Sequence, residues 1–113
     1  MILKKHFDGY YSTKTLHISP NVKKIEDGSF DDFKCLETIQ CKFNQIKYFN
    51  KQTLKSIIIH ENKFRENDDI FDECVNLEKI MIPDCCSDMK DKLFKNCKKL
   101  KTIQYLSGRK EKL

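Results

Sequence analysis

Residues 71–82 read FDECVNLEKIMI, and residues 94–105 read FKNCKKLKTIQY. Both fit the pattern F-x-x-C-x-x-L-x-x-I-x-φ, with φ apolar, and the second copy starts 23 residues after the first. Recurrence at a fixed period of this size marks a chain assembled from stacked supersecondary units. The pattern continues backwards. Tyr48, Lys51, Leu54, Ile57 and Ile59 occupy the same slots, and before them Phe30, Phe33, Leu36, Ile39 and Cys41 do so. A degraded first copy is visible as Phe7, Tyr10, Thr13, Leu16 and Ile18, so that five copies fit in 113 residues. One more apolar slot, five residues before the aromatic one, holds Ile2, Ile25, Phe43 and Met89 and fails only at Glu66.

The spacing dictates the local structure. Aromatic, Cys and Leu slots sit three apart, the step of a tight helical turn with one apolar side. The period then falls to two: Ile80 and Ile82 point inward and Met81 outward, as in a short strand. Asp27, Asp68 and Asp91 stand three residues before the aromatic slot, where a carboxylate can accept from the free N–H groups that open the turn. Each unit is a turn, a strand and a return loop, and none can bury its own apolar face. Stacking the units gives a continuous core. The expected architecture is an α/β repeat over residues 1–113: a short solenoid of about five units. A parallel sheet of short strands forms one side and single helical turns the other, with right-handed connections. Its first unit is degraded, its second shortened, and a short basic tail runs from residue 107.

These residues resemble the BspA-type leucine-rich repeat, whose units of about 23 residues carry an L-x-x-I-x-I-P strand and an A-F-x-x-C turn. LEKIMIP at 77–83 and LFKNC at 93–97 carry the resemblance most closely. It implies a leucine-rich-repeat solenoid and a protein-binding role, and similar proteins include cell-surface adhesins of bacteria and protozoan parasites. Three departures stand out. Leu36 and Leu54 are only 18 residues apart, Lys51 fills the Cys slot, and Pro follows the strand only at Pro83, with Pro20 displaced by one. An irregular, pinched repeat is therefore expected in the middle of the stack.

Composition excludes most other classes. The chain has no Ala and no Trp, 12 Ile, and 20 Lys against 2 Arg. Without Ala, a bundle of close-packed helices is disfavoured, and Ile and Phe carry the core. At 39% hydrophobic residues the chain is too apolar for disorder, and with 3 Gly and 2 Pro it is not of low complexity. The N-terminal apolar stretch ends after Leu3, too short for a secretory segment. No run approaches the ~20 apolar residues of a membrane span. A cytoplasmic location is expected on this basis, whereas the family resemblance points to the cell surface. In a reducing compartment the six Cys are expected as free thiols. Cys74 and Cys97 fall in one slot of adjacent units, close enough for a bridge; Cys86 falls in an inward slot equivalent to Val22.

Reactive constellations are missing from the register. Cys85, Cys86, Asp84 and Asp88 lack metal-ligand spacing, so neither a metal nor a cofactor is expected. His6, His17 and His60 have no Cys in a matching outward slot, and no Gly-rich phosphate loop is present. The chain reads as a non-enzyme. Charge is uneven: residues 90–113 hold nine Lys/Arg and two acids, for +7, leaving −2 elsewhere. A nucleic-acid or anionic-membrane site on Lys90–Lys101 is the second reading. It ranks behind a solvated face, because Arg is scarce and aromatics do not interleave with the lysines.

The sheet face remains. Its central outward column is His17, Gln40, Ile58, Met81 and Gln104. A second column holds Thr15, Thr38, Ser56, Lys79 and Thr102, and a third Ser19, Lys42, His60, Pro83 and Leu106. Ile58 and Met81 are adjacent and apolar, with Pro83 and Leu106 close by, and such clusters mark binding patches. The expected site for an unidentified protein partner is thus His17, Gln40, Ile58, His60, Lys79, Met81 and Gln104. Open strand edges at the ends of the stack predict either end-to-end self-association or packing of the tail Ser107–Leu113 over the last unit.

Overall fold

The protein is described by a computed structural model at residues 1–2, 4–7, 9–61 and 69–113. Five short strands, β1 (Thr15–His17), β2 (Thr38–Cys41), β3 (Ser56–Ile59), β4 (Lys79–Ile82) and β5 (Thr102–Tyr105), lie side by side in chain order and run parallel. Their register matches equivalent slots of the repeat: Ile39 lies opposite Ile57, Ile57 opposite Ile80, and Ile80 opposite Ile103. Those four Ile form an inward ladder with at most 3% exposure, beside a second one of Cys41, Ile59, Ile82 and Tyr105. A period of two is what lets each strand feed the core from alternate residues.

Opposite the sheet, the helical turns close as the three-residue spacing requires. The Cys74 N–H donates to the Phe71 carbonyl at 3.0 Å and the Leu77 N–H to the Cys74 carbonyl at 3.2 Å. The next unit repeats this at Phe94, Cys97 and Leu100, with 3.0 and 3.1 Å. Bonds of this i to i+3 type eclipse side chains three apart, so all six residues face the core. The return segments are more ordered than loops: 3₁₀ helices span Phe43–Tyr48 and Asp84–Met89, the latter running into the one-turn helix α1 (Lys90–Leu93).

The pinched unit departs from the expected slots. Phe49, not Tyr48, enters the aromatic ladder, stacking on Phe30 with centroids 4.4 Å apart. The reason lies in the shortened return. The 3₁₀ helix ends as the Phe49 N–H bonds the Ile46 carbonyl, and Phe49 itself is extended, which turns its ring inward. Tyr48 is left half-buried under the Lys47 ammonium, 5.3 Å from the ring centroid. Phe43 then approaches Phe71 edge-on at 6.3 Å, linking the ladder's two halves across the pinch.

The capping expectation fails at Asp27 and Asp91. Asp91 lies inside α1, behind an N-cap at Met89, and Asp27 makes no capping bond among the described residues. In that unit the Ser29 hydroxyl donates to the Glu26 carbonyl at 2.6 Å and fixes the turn instead. Asp68 and Glu66 lie outside the described residues.

The tail packs on the last unit. Lys110–Lys112 forms a sixth strand, β6, antiparallel to β5, with Gln104 opposite Lys110 and Thr102 opposite Lys112. Gly108, at φ +97°, makes the reversal: its N–H bonds the Tyr105 carbonyl, and the Tyr105 N–H bonds the Arg109 carbonyl. A left-handed residue at that place is what a three-residue hairpin loop needs, and only Gly adopts it without strain. β6 therefore covers the edge of β5 that the repeat leaves open.

Candidate functional site

The outward face is built by the strands' alternation. In β3 and β4, Ile57, Ile59, Ile80 and Ile82 are buried, and Ile58 and Met81 stand between them half-buried on the other side. The central column has the expected register: His17 opposite Gln40, Gln40 opposite Ile58, Ile58 opposite Met81, and Met81 opposite Gln104. Neighbouring strands are ~4.8 Å apart, so Ile58 and Met81 form one continuous apolar patch. His17 and Lys79 are exposed at the sides, and Gln40 and Gln104 are half-buried above and below.

Two members of the third column are placed differently from expectation. His60 is half-buried and its Nε2–H donates to the Ile18 carbonyl at 3.0 Å, clipping the end of β3 to the end of β1. That bond engages the Nε2 side of the ring in the fold itself. Pro83 is buried instead of contributing apolar surface. It opens the Asp84–Met89 helix, and the β5–β6 turn lies across it. The Leu106 N–H bonds the Ile82 carbonyl at 2.9 Å, and the Asp84 carboxylate accepts from the Ser107 hydroxyl at 2.7 Å. Leu106 remains exposed.

The basic C-terminal unit is partly committed to its own structure. The Lys90 ammonium pairs with Glu111, and Arg109 pairs with Glu111 and with Asp84 while lying 4.3 Å over the Tyr105 ring. Lys99 donates to the Asn76 side chain at 2.9 Å. The Lys90 hydrogen bond holds the Glu111 carboxyl below its ordinary range, and the Ser107 hydroxyl does the same for Asp84. Glu111 correspondingly raises Lys90. Lys90, Arg109, Glu111 and Asp84 form a charged lid at β6, while Lys92, Lys95, Lys98 and Lys101 stay exposed outside it.

Two residues of the face escaped the sequence reading. Lys110 and Lys112 of β6 extend the two outward columns, beyond Gln104 and Thr102 respectively, and both are exposed. The signal was present: Ser107-Gly108 is a turn dipeptide, and a polar strand alternating around Glu111 follows it.

The thiols divide by burial. Cys41, Cys74, Cys86 and Cys97 are buried, and burial pushes the first three up to about 12 and Cys97 to about 11. Cys97 instead donates its S–H to the Phe71 carbonyl, at 3.4 Å. Cys35 and Cys85 are exposed, and all six are unbridged. Among the described residues no cluster of His, Cys, Asp and Glu is disposed to hold a metal ion. Native alkylation is expected to label Cys35 and Cys85 rapidly, with the other four following only on unfolding, since a buried neutral thiol is unreactive. Mass spectrometry after denaturing, non-reducing alkylation should find six adducts, and a Cys74–Cys97 bridge would contradict the structure.

The fold and its register define a repeat protein whose parallel strands line one face. The chain belongs to the BspA type leucine rich repeat region family, which matches residues 1–111 in six copies, one more than the spacing alone delimits. Repeats of this family are in general protein-interaction modules and typically non-catalytic. No curated protein and no solved structure matched the chain. No helix among the described residues is long and apolar enough to cross a membrane.

Proposed function

We propose that the chain is a non-enzymatic protein-interaction module that binds its partner through the outward face of the sheet. The observation that carries this reading is the pairing of Ile58 with Met81 on adjacent strands, two apolar side chains at the centre of a face whose other members in the first two columns are polar. Hydrogen-bonded neighbouring strands hold such a patch in place without ordering any loop, so little conformational entropy opposes docking. His17, Gln40, Lys79 and Gln104 surround it as the polar rim that specific interfaces use. In the basic-strip alternative, Lys90 is engaged by Glu111 and Lys99 by Asn76, and the strip offers no apolar contact beside its remaining lysines.

The test compares proteins retained by the native chain with those retained by Ile58→Asp and Met81→Lys, and by a variant neutralised at Lys92, Lys95 and Lys98. Loss of the same partners in the first two, with retention in the third, is the expected result. A central apolar contact is worth ~2 kcal/mol or more in an interface. Partners lost only in the lysine variant would move the site to the C-terminal unit.

A further inference from the structure

The charge on the proposed face is one-sided. The chain carries 17 Asp and Glu, yet none occupies an outward strand position from Thr15 to Lys112 in the first two columns or the flanking third one. Lys42, Lys79, Lys110 and Lys112 do. Glu111 of β6 faces the other way, opposite Ile103, and is neutralised there by Lys90 and Arg109. Of the nearby rim acids, Glu37 is paired with Lys55 at 3.3 Å, and Glu78, exposed just before β4 and in no ion pair among the described residues, is outnumbered by the three lysines. No ion pair engages Lys79, Lys110 or Lys112 among the described residues. A shallow depression runs over β4–β6 between the Lys79 and Lys110 side chains, floored by Thr102 and Gln104 and edged by Glu78. It lies beside Met81, which is paired with Gln104.

We infer that the face takes an acidic protein segment: a partner carrying clustered Asp or Glu next to one apolar anchor. The anchor covers Ile58 and Met81, and the carboxylates lie along Lys79, Lys110 and Lys112. This rests on the reading of the sheet face given above and adds the partner's chemistry to it. The apolar patch is what favours a protein segment over nucleic acid or an anionic membrane. A bare polyanion gains nothing from Ile58 and Met81, and the face offers no Arg and no stacked aromatic. Opposite charges across a rim guide encounter and select partners more than they add affinity, so association should slow as salt is raised.

The experiment is selection of a random displayed peptide library on the full chain, followed by titration of the selected peptides against three variants. Lys79→Gln/Lys110→Gln/Lys112→Gln removes the cations, Ile58→Ser/Met81→Ser removes the patch, and Lys92→Gln/Lys95→Gln/Lys98→Gln serves as control. All altered side chains are outward or exposed, and unchanged thermal midpoints confirm folding. The expected result is enrichment of Asp and Glu beside Leu, Ile or Phe, with affinity falling about tenfold or more in each of the first two variants and unchanged in the control. Peptides that need Ile58 and Met81 but show no acidic enrichment would overturn the inference and leave the sheet-face reading standing. Acidic peptides indifferent to Ile58 and Met81 would overturn both. Failure to select any peptide would overturn the inference. So would equal competition by single-stranded RNA or by phosphatidylserine vesicles, which would mark a general polyanion surface.

Discussion

Ile80→Asp is expected to leave the chain unfolded, whereas Met81→Lys, one residue along the same strand, should stay within about 1 kcal/mol of the parent. Ile80 is 3% exposed and stacked between Ile57 and Ile103. Removing its side chain forfeits ~2 kcal/mol or more of burial, and a carboxyl group with no partner in that ladder adds several more. Against a total stability of the order of 10 kcal/mol, part of it from neighbour-to-neighbour contacts between units, the loss is decisive. Met81 points the other way, where an ammonium group reaches water. Thermal unfolding followed by circular dichroism separates the two. An early-melting Met81→Lys would invalidate the register and the proposed face with it.

The second large effect is expected at the lid. The Tyr105 N–H bonds the Arg109 carbonyl and the Leu113 N–H bonds the Lys101 carbonyl, so the backbone of Glu111 faces β5 between them. Glu111→Pro removes a ladder donor and the carboxylate that holds Lys90 and Arg109, and releases the edge of β5. A loss of about 2 kcal/mol is expected, with association that rises with protein concentration as free edges pair. Sedimentation at two concentrations checks it, and a strictly monomeric Glu111→Pro variant with the parent's midpoint would show that β6 contributes nothing. Glu111→Gln keeps the strand and isolates the charge.

For Asp84 and Glu111 the folded carboxyls are held below their ordinary range, so their contribution is present above that range and disappears as pH falls through the depressed values. Lys90 is raised, so its share is complete below the ordinary lysine range and is lost as pH rises through the raised value. The lid should be firmest between those limits, and Glu111→Gln should flatten the acid side of the profile of thermal midpoint against pH.

Much of this molecule is written in its periodicity. The three-residue step fixed the turns at Phe71–Leu77 and Phe94–Leu100, and the two-residue step fixed which Ile of each strand faces inward. A slot that recurs once per unit, after 23 residues or after the 18 of the shortened unit between Gln40 and Ile58, must land on the same side of the stack each time, so the column from His17 to Gln104 was legible in the sequence. What periodicity could not supply was the outcome of competition between unlike groups for the same space. Whether Tyr48 or Phe49 enters the aromatic ladder depends on how a shortened return closes, and the end of the 3₁₀ helix leaves Phe49 facing Phe30. His60 occupies an outward slot, but a carbonyl at the end of β1 lies within reach of its ring, and that contact joins residues 42 apart in the chain. Residues 107–113 break the repeat, so no period could place them. Only the folded stack supplies the unpaired edge of β5, the Asp84 and Lys90 side chains, and the Tyr105 ring that together draw the tail in as β6, and with it bring Lys110 and Lys112 onto the face.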